Sequence, residues 1–216
     1  MIEDESFKPR DSVGKMKIVP LTHSPYLKPF RAEFEMNGRK RFWDMLKIHD
    51  SVSVLLFNVS RRVLILVRQF RPAMYIHQIP SVDIDSEIDP EKHDLRMGYS
   101  LELCAGLVDK DFSLEEIARQ EVLEECGYDI PVDSLKKVHS YRGVGITGQK
   151  GTIFYAEVTD EQKVSEGGGL REEGESIEVV EMTIPSIKKY ISNVDILSPA
   201  VFVSAIQWFL SEICCE

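Results

Sequence analysis

The chain has 216 residues and carries 36 acidic against 26 basic side chains, a formal net charge of -10 at pH 7. That length suits one domain, or one domain with a small extra layer, and a content of 43% hydrophobic and 29% charged residues excludes a disordered or fibrous chain. The acid surplus argues against a protein built to neutralise nucleic-acid phosphates. It leaves an anionic small-molecule substrate open, because a bound cation reverses the local field.

The first ten residues, MIEDESFKPR, are acidic and polar. They do not read as a signal peptide, and residues 1–15 are expected to form a loose tail. From Phe30 to Met36, apolar Phe30, Ala32, Phe34 and Met36 alternate with charged Arg31, Glu33 and Glu35. Asn37-Gly38 follows, then a second run through Phe42, Trp43 and Met45, which together form a strong β-hairpin pattern. A hairpin alone is marginal and needs a partner surface. Residues 1–48 are therefore expected to form an N-terminal β layer used in dimerisation, ahead of a main domain over 49–216.

Residues 51–59 and 63–67 are β-branched and apolar, and predict adjacent core strands. Residues 76–98 have no steady period and read as a long surface excursion. A short strand is predicted at 101–105, a helix at 114–126, and further strands at 136–141 and 152–158. Residues 160–176 form a polar loop around Gly167-Gly168-Gly169. A strand at 177–182 and helices at 185–191 and 199–213 complete the chain, with Ser198-Pro199 expected to start the last helix. No run approaches the roughly 20 apolar residues of a membrane span. The order implies an α/β or α+β fold.

Cys104, Cys126, Cys214 and Cys215 show neither a zinc-binding spacing nor a disulfide framework, and Cys214-Cys215 lie too near the end for prenylation. Free thiols in a cytoplasmic protein are the simpler reading. None of the five histidines has metal-ligand spacing, so all are expected to be structural or on the surface.

The helix over 114–126 carries the chemistry. Ser113-Leu114-Glu115-Glu116 is a capping box, and Gly127 is a natural stop. At about 100° per residue, Leu114, Ile117, Ala118 and Val122 form the apolar arc, and Glu121, Glu124 and Glu125 fall in or beside it. Buried carboxylates must be paired or bound to metal, and no Lys or Arg shares the arc. A solvated acidic stripe is the alternative, but the acids occupy the side that must face the core. The spacing predicts carboxylates gathered on a hard divalent cation such as Mg²⁺.

This stretch resembles the box of the Nudix hydrolase family, G-x5-E-x7-R-E-U-x-E-E-x-G-U, with U aliphatic. Gly106, Glu121, Val122, Glu124, Glu125 and Gly127 match in register, whereas Phe112, Gln120 and Tyr128 replace the first Glu, the Arg and the last aliphatic residue. The family's Glu and Arg brace the loop and helix, so loop rigidity is the feature put in question; Arg119 or Asp109 are candidate substitutes. Val67-Arg68-Gln69-Phe70-Arg71 and Glu102-Leu103-Cys104-Ala105-Gly106 are similar to strands of the family's ADP-ribose and nucleoside-diphosphosugar branch.

The resemblance implies the Nudix α/β/α sandwich with an additional N-terminal antiparallel β layer exchanged across a homodimer. It implies Mg²⁺-dependent hydrolysis of UDP-glucose to UMP and glucose 1-phosphate, with Mn²⁺ as a possible substitute metal. Glu121, Glu124, Glu125 and the Ala105 carbonyl are the implied metal ligands. Glu173 aligns best with the family's general base, and Glu175 is the close alternative. Arg71 is the implied phosphate arginine, with Glu102, Gly106 and Leu107 lining the substrate site and Trp43 or Phe30 as stacking candidates. ADP-ribose or another sugar diphosphate, and a silent nucleotide-binding domain, are the competing readings. Neither nucleic acid nor membrane is an expected partner.

Overall fold

The computed structural model describes residues 7–9, 11–24, 27–170, 172 and 174–214. A short strand β1 (Met16–Lys17) precedes an antiparallel pair, β2 (Lys28–Met36) and β3 (Arg39–Lys47). Asn37 and Gly38 turn the hairpin at φ 53° and 72°, the left-handed pair that matches the twist of the flanking strands. Cross-strand pairs Phe30 with Met45 and Ala32 with Trp43 gather the apolar side chains on one face.

Strands β4 (Ser51–Asn58) and β5 (Val63–Phe70) begin the main sheet. Helix α1 (Pro72–His77), strand β6 (Glu87–Ile88), and strands β7 (Tyr99–Glu102) and β8 (Cys104–Leu107) follow. Helix α2 (Leu114–Glu121) continues into a wider π turn over Val122–Cys126. The chain ends with β9 (Lys136–Arg142), β10 (Lys150–Val158), β11 (Ile177–Thr183), α3 (Ile184–Ile191) and α4 (Ala200–Glu212).

The main sheet runs β11-β5-β4-β10-β9, with β7 added to β5 and β8 to β4. Among the described residues, only β4 and β10 are parallel. Strands β4 and β5 pair solely over Leu56–Asn58 and Val63–Ile65. Beyond that they splay, and β8 pairs with the first half of β4 while β7 pairs with the second half of β5. The splay opens the site, because the β7–β8 connection delivers Glu102, Ala105 and Gly106 into the gap.

Both faces of the sheet are covered, which is why its strands read as unbroken apolar runs. Val52, Val54 and Leu56 pack with Ile117, Ala118 and Val122 of the acidic helix. Leu55 and Phe57 face the other way, onto Phe202, Ala205, Ile206 and Phe209, spaced one to two helical turns apart on α4. This is the expected α/β/α sandwich.

Several expectations need correction. Residues 1–15 are not loose where described: the Phe7 ring lies edge-on to Tyr99, and the Arg68 guanidinium sits 4.2 Å above it. Residues 76–98 are no plain surface excursion, since Tyr75, Ile79 and Ile88 form a third apolar cluster with Met16 and Ile18. The strand expected at 101–105 is two strands broken at Leu103. Ser198 does not cap α4; Pro199 holds that position, and Ser198 donates 2.6 Å to the Leu101 carbonyl. Among the described residues, no helix is long and apolar enough to cross a membrane.

Candidate active site

The helix that presents the acids is fixed at both ends. Ser113 accepts from the Glu116 N–H, and the Glu116 carboxylate accepts from the Ser113 N–H at 2.9 Å, so the capping box is formed. At the far end Gly127 adopts φ 77°, and a Cβ there would lie 2.1 Å from the Ser165 carbonyl oxygen. Only glycine allows this turn together with that approach. The glycine loop then closes on the helix: Gly168 and Gly169 N–H groups donate to the Glu125 and Glu124 carbonyls at 2.9 and 3.1 Å.

Glu125 is 3% exposed. Its carboxylate accepts from the Ala105 N–H at 3.0 Å, which ties the helix to β8. Burial pushes this carboxyl up to about 8, against the opposing hydrogen bonds from Ala105 and the Cys104 thiol, with Glu121 and Glu175 adding like charge. Glu121 is half-buried, and burial followed by the charges of Glu124 and Glu175 pushes it up to about 7. Gly106 lies directly under it, since a Cβ there would fall 2.0 Å from Glu121 Oε1. The glycine thus leaves room for a carboxylate.

The acids do not all meet as the α-helical spacing implies. Among the described residues, no three Asp, Glu, His or Cys side chains stand as a ready metal-ligand set. The π turn is a physical reason: it holds more residues per turn than an α-helix, so the 100° step fails from Val122 onward. Glu121 and Glu125 face the Ala105–Gly106 strand, while Glu124 is partly exposed beside Glu121.

These residues nevertheless fit a hard divalent cation. The cluster is oxygen-only, two of its carboxyls are held at raised pKa by burial, and a glycine clears the space beside one of them. Glu121, Glu125 and Glu124 would hold the ion with the Ala105 carbonyl.

On the opposite rim, Arg71 Nε and Nη2 donate to the two Glu102 oxygens at 2.8 and 2.7 Å. The pair is bidentate, and Glu102 is buried while Arg71 keeps an exposed flank. Glu125 and Glu175 are close enough to add their charge to that guanidinium's environment. Leu107 ends β8 half-exposed. Glu175 accepts from the Leu170 N–H at 2.8 Å. Glu173 lies outside the described residues. Trp43 sits on the hairpin, 48% exposed, and its indole N–H donates to the Gly145 carbonyl at 2.7 Å.

The departures from the box have visible consequences. Phe112 is 51% exposed and braces nothing by charge. Arg119 holds the helix instead, donating to the Ile130 carbonyl at 3.0 Å and to Asp129 at 2.7 Å. The Tyr128 hydroxyl, in place of an aliphatic residue, accepts from Arg61 at 3.2 Å, and Arg61 also pairs with Asp160 and Glu181. The Arg61 network was not anticipated; a tyrosine at a buried aliphatic position was the available signal, since a buried hydroxyl requires a partner.

This arrangement is that of a Nudix hydrolase. Two curated relatives are named uridine diphosphate glucose pyrophosphatase NUDT14. The Mus musculus protein is 43% identical over 202 residues, spanning 88% of this chain and 91% of the relative. The Bos taurus protein is 44% identical over 199 residues, spanning 87% and 90%. A GDP-mannose pyrophosphatase of Escherichia coli is 30% identical over 147 residues, spanning 68% of this chain and 66% of that protein. The fold matches a solved ADP compounds hydrolase with a TM-score of 0.62 at 18% identity, over 97% of this chain and 99% of that one. No protein-family model matches the chain. The chain belongs to the Nudix hydrolases, in the group that includes the UDP-glucose pyrophosphatases of the NUDT14 type.

Proposed function

We propose that the chain hydrolyses the diphosphate bond of UDP-glucose and related UDP-sugars to UMP and sugar 1-phosphate, with Mg²⁺ as its metal and Mn²⁺ as a substitute. The observation that carries this reading is identity of 43% and 44%, over about nine-tenths of each chain, to proteins named for that activity. The buried acids on Gly106 supply the matching chemistry.

The bound metal would neutralise phosphoryl charge and acidify a water. The chain's own residues have separable tasks. Glu121, Glu124, Glu125 and the Ala105 carbonyl hold the ion. Glu102 fixes the Arg71 guanidinium so that its exposed flank meets the substrate phosphates without reorganising. Gly106 and Leu107 line the sugar-nucleotide path. The general base comes from the loop over 172–175, with Glu173 first and Glu175 the alternative. Trp43 stacks on the base once the hairpin meets a second chain.

The reading includes a homodimer formed through the layer over 1–48 against the catalytic domain over 49–216. Phe30, Phe34, Met36 and Trp43 are 39–55% exposed on a single chain, an apolar group that calls for a cover. A cytoplasmic setting agrees with the free, buried thiols of Cys104 and Cys126.

Product analysis tests the reaction. UDP-glucose incubated with the protein and Mg²⁺ should yield UMP and glucose 1-phosphate, and nothing in excess EDTA. Release of UDP and free glucose would contradict cleavage at the diphosphate. Parallel Glu173→Gln and Glu175→Gln variants identify the base, as the one that loses turnover at unchanged metal activation.

A further inference from the structure

The loop that leads from the glycine turn into β11 is held from two sides. One side belongs to the acidic helix, whose Glu124 and Glu125 carbonyls accept from Gly169 and Gly168. Within the loop, Leu170 and Glu175 close on each other: the Glu175 N–H donates to the Leu170 carbonyl at 3.2 Å, and the Leu170 N–H donates to the Glu175 carboxylate. The other side is the N-terminal segment. Asp11 accepts from the Ser176 hydroxyl through one carboxylate oxygen and from the Tyr99 hydroxyl at 2.8 Å through the other.

Tyr99 is a firm anchor. It is 7% exposed on β7, paired in register with Phe70, and its ring packs on both Phe70 and Phe7. Phe70 immediately precedes Arg71, the phosphate arginine of the proposed reaction. Asp11 therefore joins the wall that carries Arg71 to the residue directly after Glu175. The Phe7 ring, lying between Arg68 and Tyr99, fixes the segment that carries Asp11.

We propose that Asp11 is a positioning residue: by bridging Tyr99 and Ser176 it sets Ser176, and with it the adjoining Glu175 carboxylate, at a working distance from Arg71 and Glu125. The inference rests on the proposed diphosphatase reaction. Catalytic groups displaced by about 1 Å lose up to roughly 100-fold in rate, so removing one of the loop's two ties acts on turnover and leaves metal binding intact.

The test is steady-state hydrolysis of UDP-glucose by full-length Asp11→Ala, Ser176→Ala, their double variant and Asp11→Asn, with amide hydrogen exchange alongside. Asp11→Ala and Ser176→Ala should each lower kcat about tenfold, with KM and the half-activating Mg²⁺ concentration within about twofold of wild type. The double variant should lose no more than either single one, because both act through one bond. Asp11→Asn should stay within about threefold, since its amide accepts from Tyr99 and donates to Ser176. The Leu170 and Glu175 amides should exchange about tenfold faster in Asp11→Ala. Wild-type kcat in Asp11→Ala, or additive losses in the double variant, would overturn the proposal. If the wild-type chain hydrolyses no sugar nucleotide, the reaction assignment fails by itself. Exchange then decides the clamp, and unchanged rates at Leu170 and Glu175 overturn it.

Discussion

Glu125 concentrates the physics of this site in one side chain. A carboxyl titrates near 4.5 in its ordinary setting, and burial moves Glu125 up to about 8. Below pH 4.5 the folded and unfolded chains both hold the proton, and the folded form keeps its full advantage. As pH climbs towards 8 the unfolded chain has already released its proton, so stability is lost. In EDTA, melting curves should therefore show lower stability at about pH 9 than at about pH 5, by on the order of a few kcal/mol. Glu125→Gln should reduce that slope, because an amide carries no charge to bury, and leave the part due to Glu121, while lowering Mg²⁺-dependent turnover on the order of 100- to 1,000-fold. An undiminished slope in Glu125→Gln would place the titration elsewhere. Gly106→Ala probes the neighbouring carboxylate, since its Cβ would fall 2.0 Å from Glu121 Oε1. It should raise the half-activating Mg²⁺ concentration about 10- to 100-fold. An unchanged value would remove Glu121 from the ligand set. The type and order of these residues were legible in the sequence; their exact grouping was not, because the π turn over Val122–Cys126 breaks the uniform helical step.

At the scale of elements, the acidic helix is positioned by the box residues Gly127 and Glu125 and also by groups outside the family's box pattern. Arg119 links it to the Asp129–Ile130 segment, the brace anticipated when Phe112 and Gln120 replaced the box Glu and Arg. Arg119→Ala should cost about 1–2 kcal/mol, a fall of a few degrees in Tm. Arg119→Lys should recover only part of it, because an ammonium does not reproduce the planar fork. An unchanged Tm in Arg119→Ala would show that its bonds to Asp129 and Ile130 do not brace the helix. The hairpin, capping box and core strands were readable because turn chemistry and periodicity are local signals. The tail and residues 76–98 were misread because Phe7 and Tyr75 gain their partners only through tertiary contacts with Tyr99, Phe70 and Ile88. Ser198 satisfied the local cap pattern, but the Leu101 carbonyl, distant in sequence, claimed its hydroxyl.

For the whole molecule, the hairpin and the charge balance matter most. The apolar face around Phe34 and Trp43 predicts a dimer in solution, so light scattering should give twice the chain mass, and Phe34→Glu with Trp43→Glu should halve it. A monomeric wild type would contradict that layer's role. The net charge of -10 is not concentrated as bare charge in the site: burial pushes Glu121 and Glu125, which face Gly106, up to about 7 and 8, and Glu102 is paired to Arg71 on the rim. A cation entering there displaces the protons of those carboxyls, which ties activity to bound metal. The most direct measurement is kcat/KM for UDP-glucose, GDP-mannose and ADP-ribose with and without Mg²⁺. The expected result is strict Mg²⁺ dependence with UDP-glucose preferred by tenfold or more, about 1.4 kcal/mol in transition-state binding. A tenfold preference for ADP-ribose, or turnover that persists in EDTA, would contradict the account.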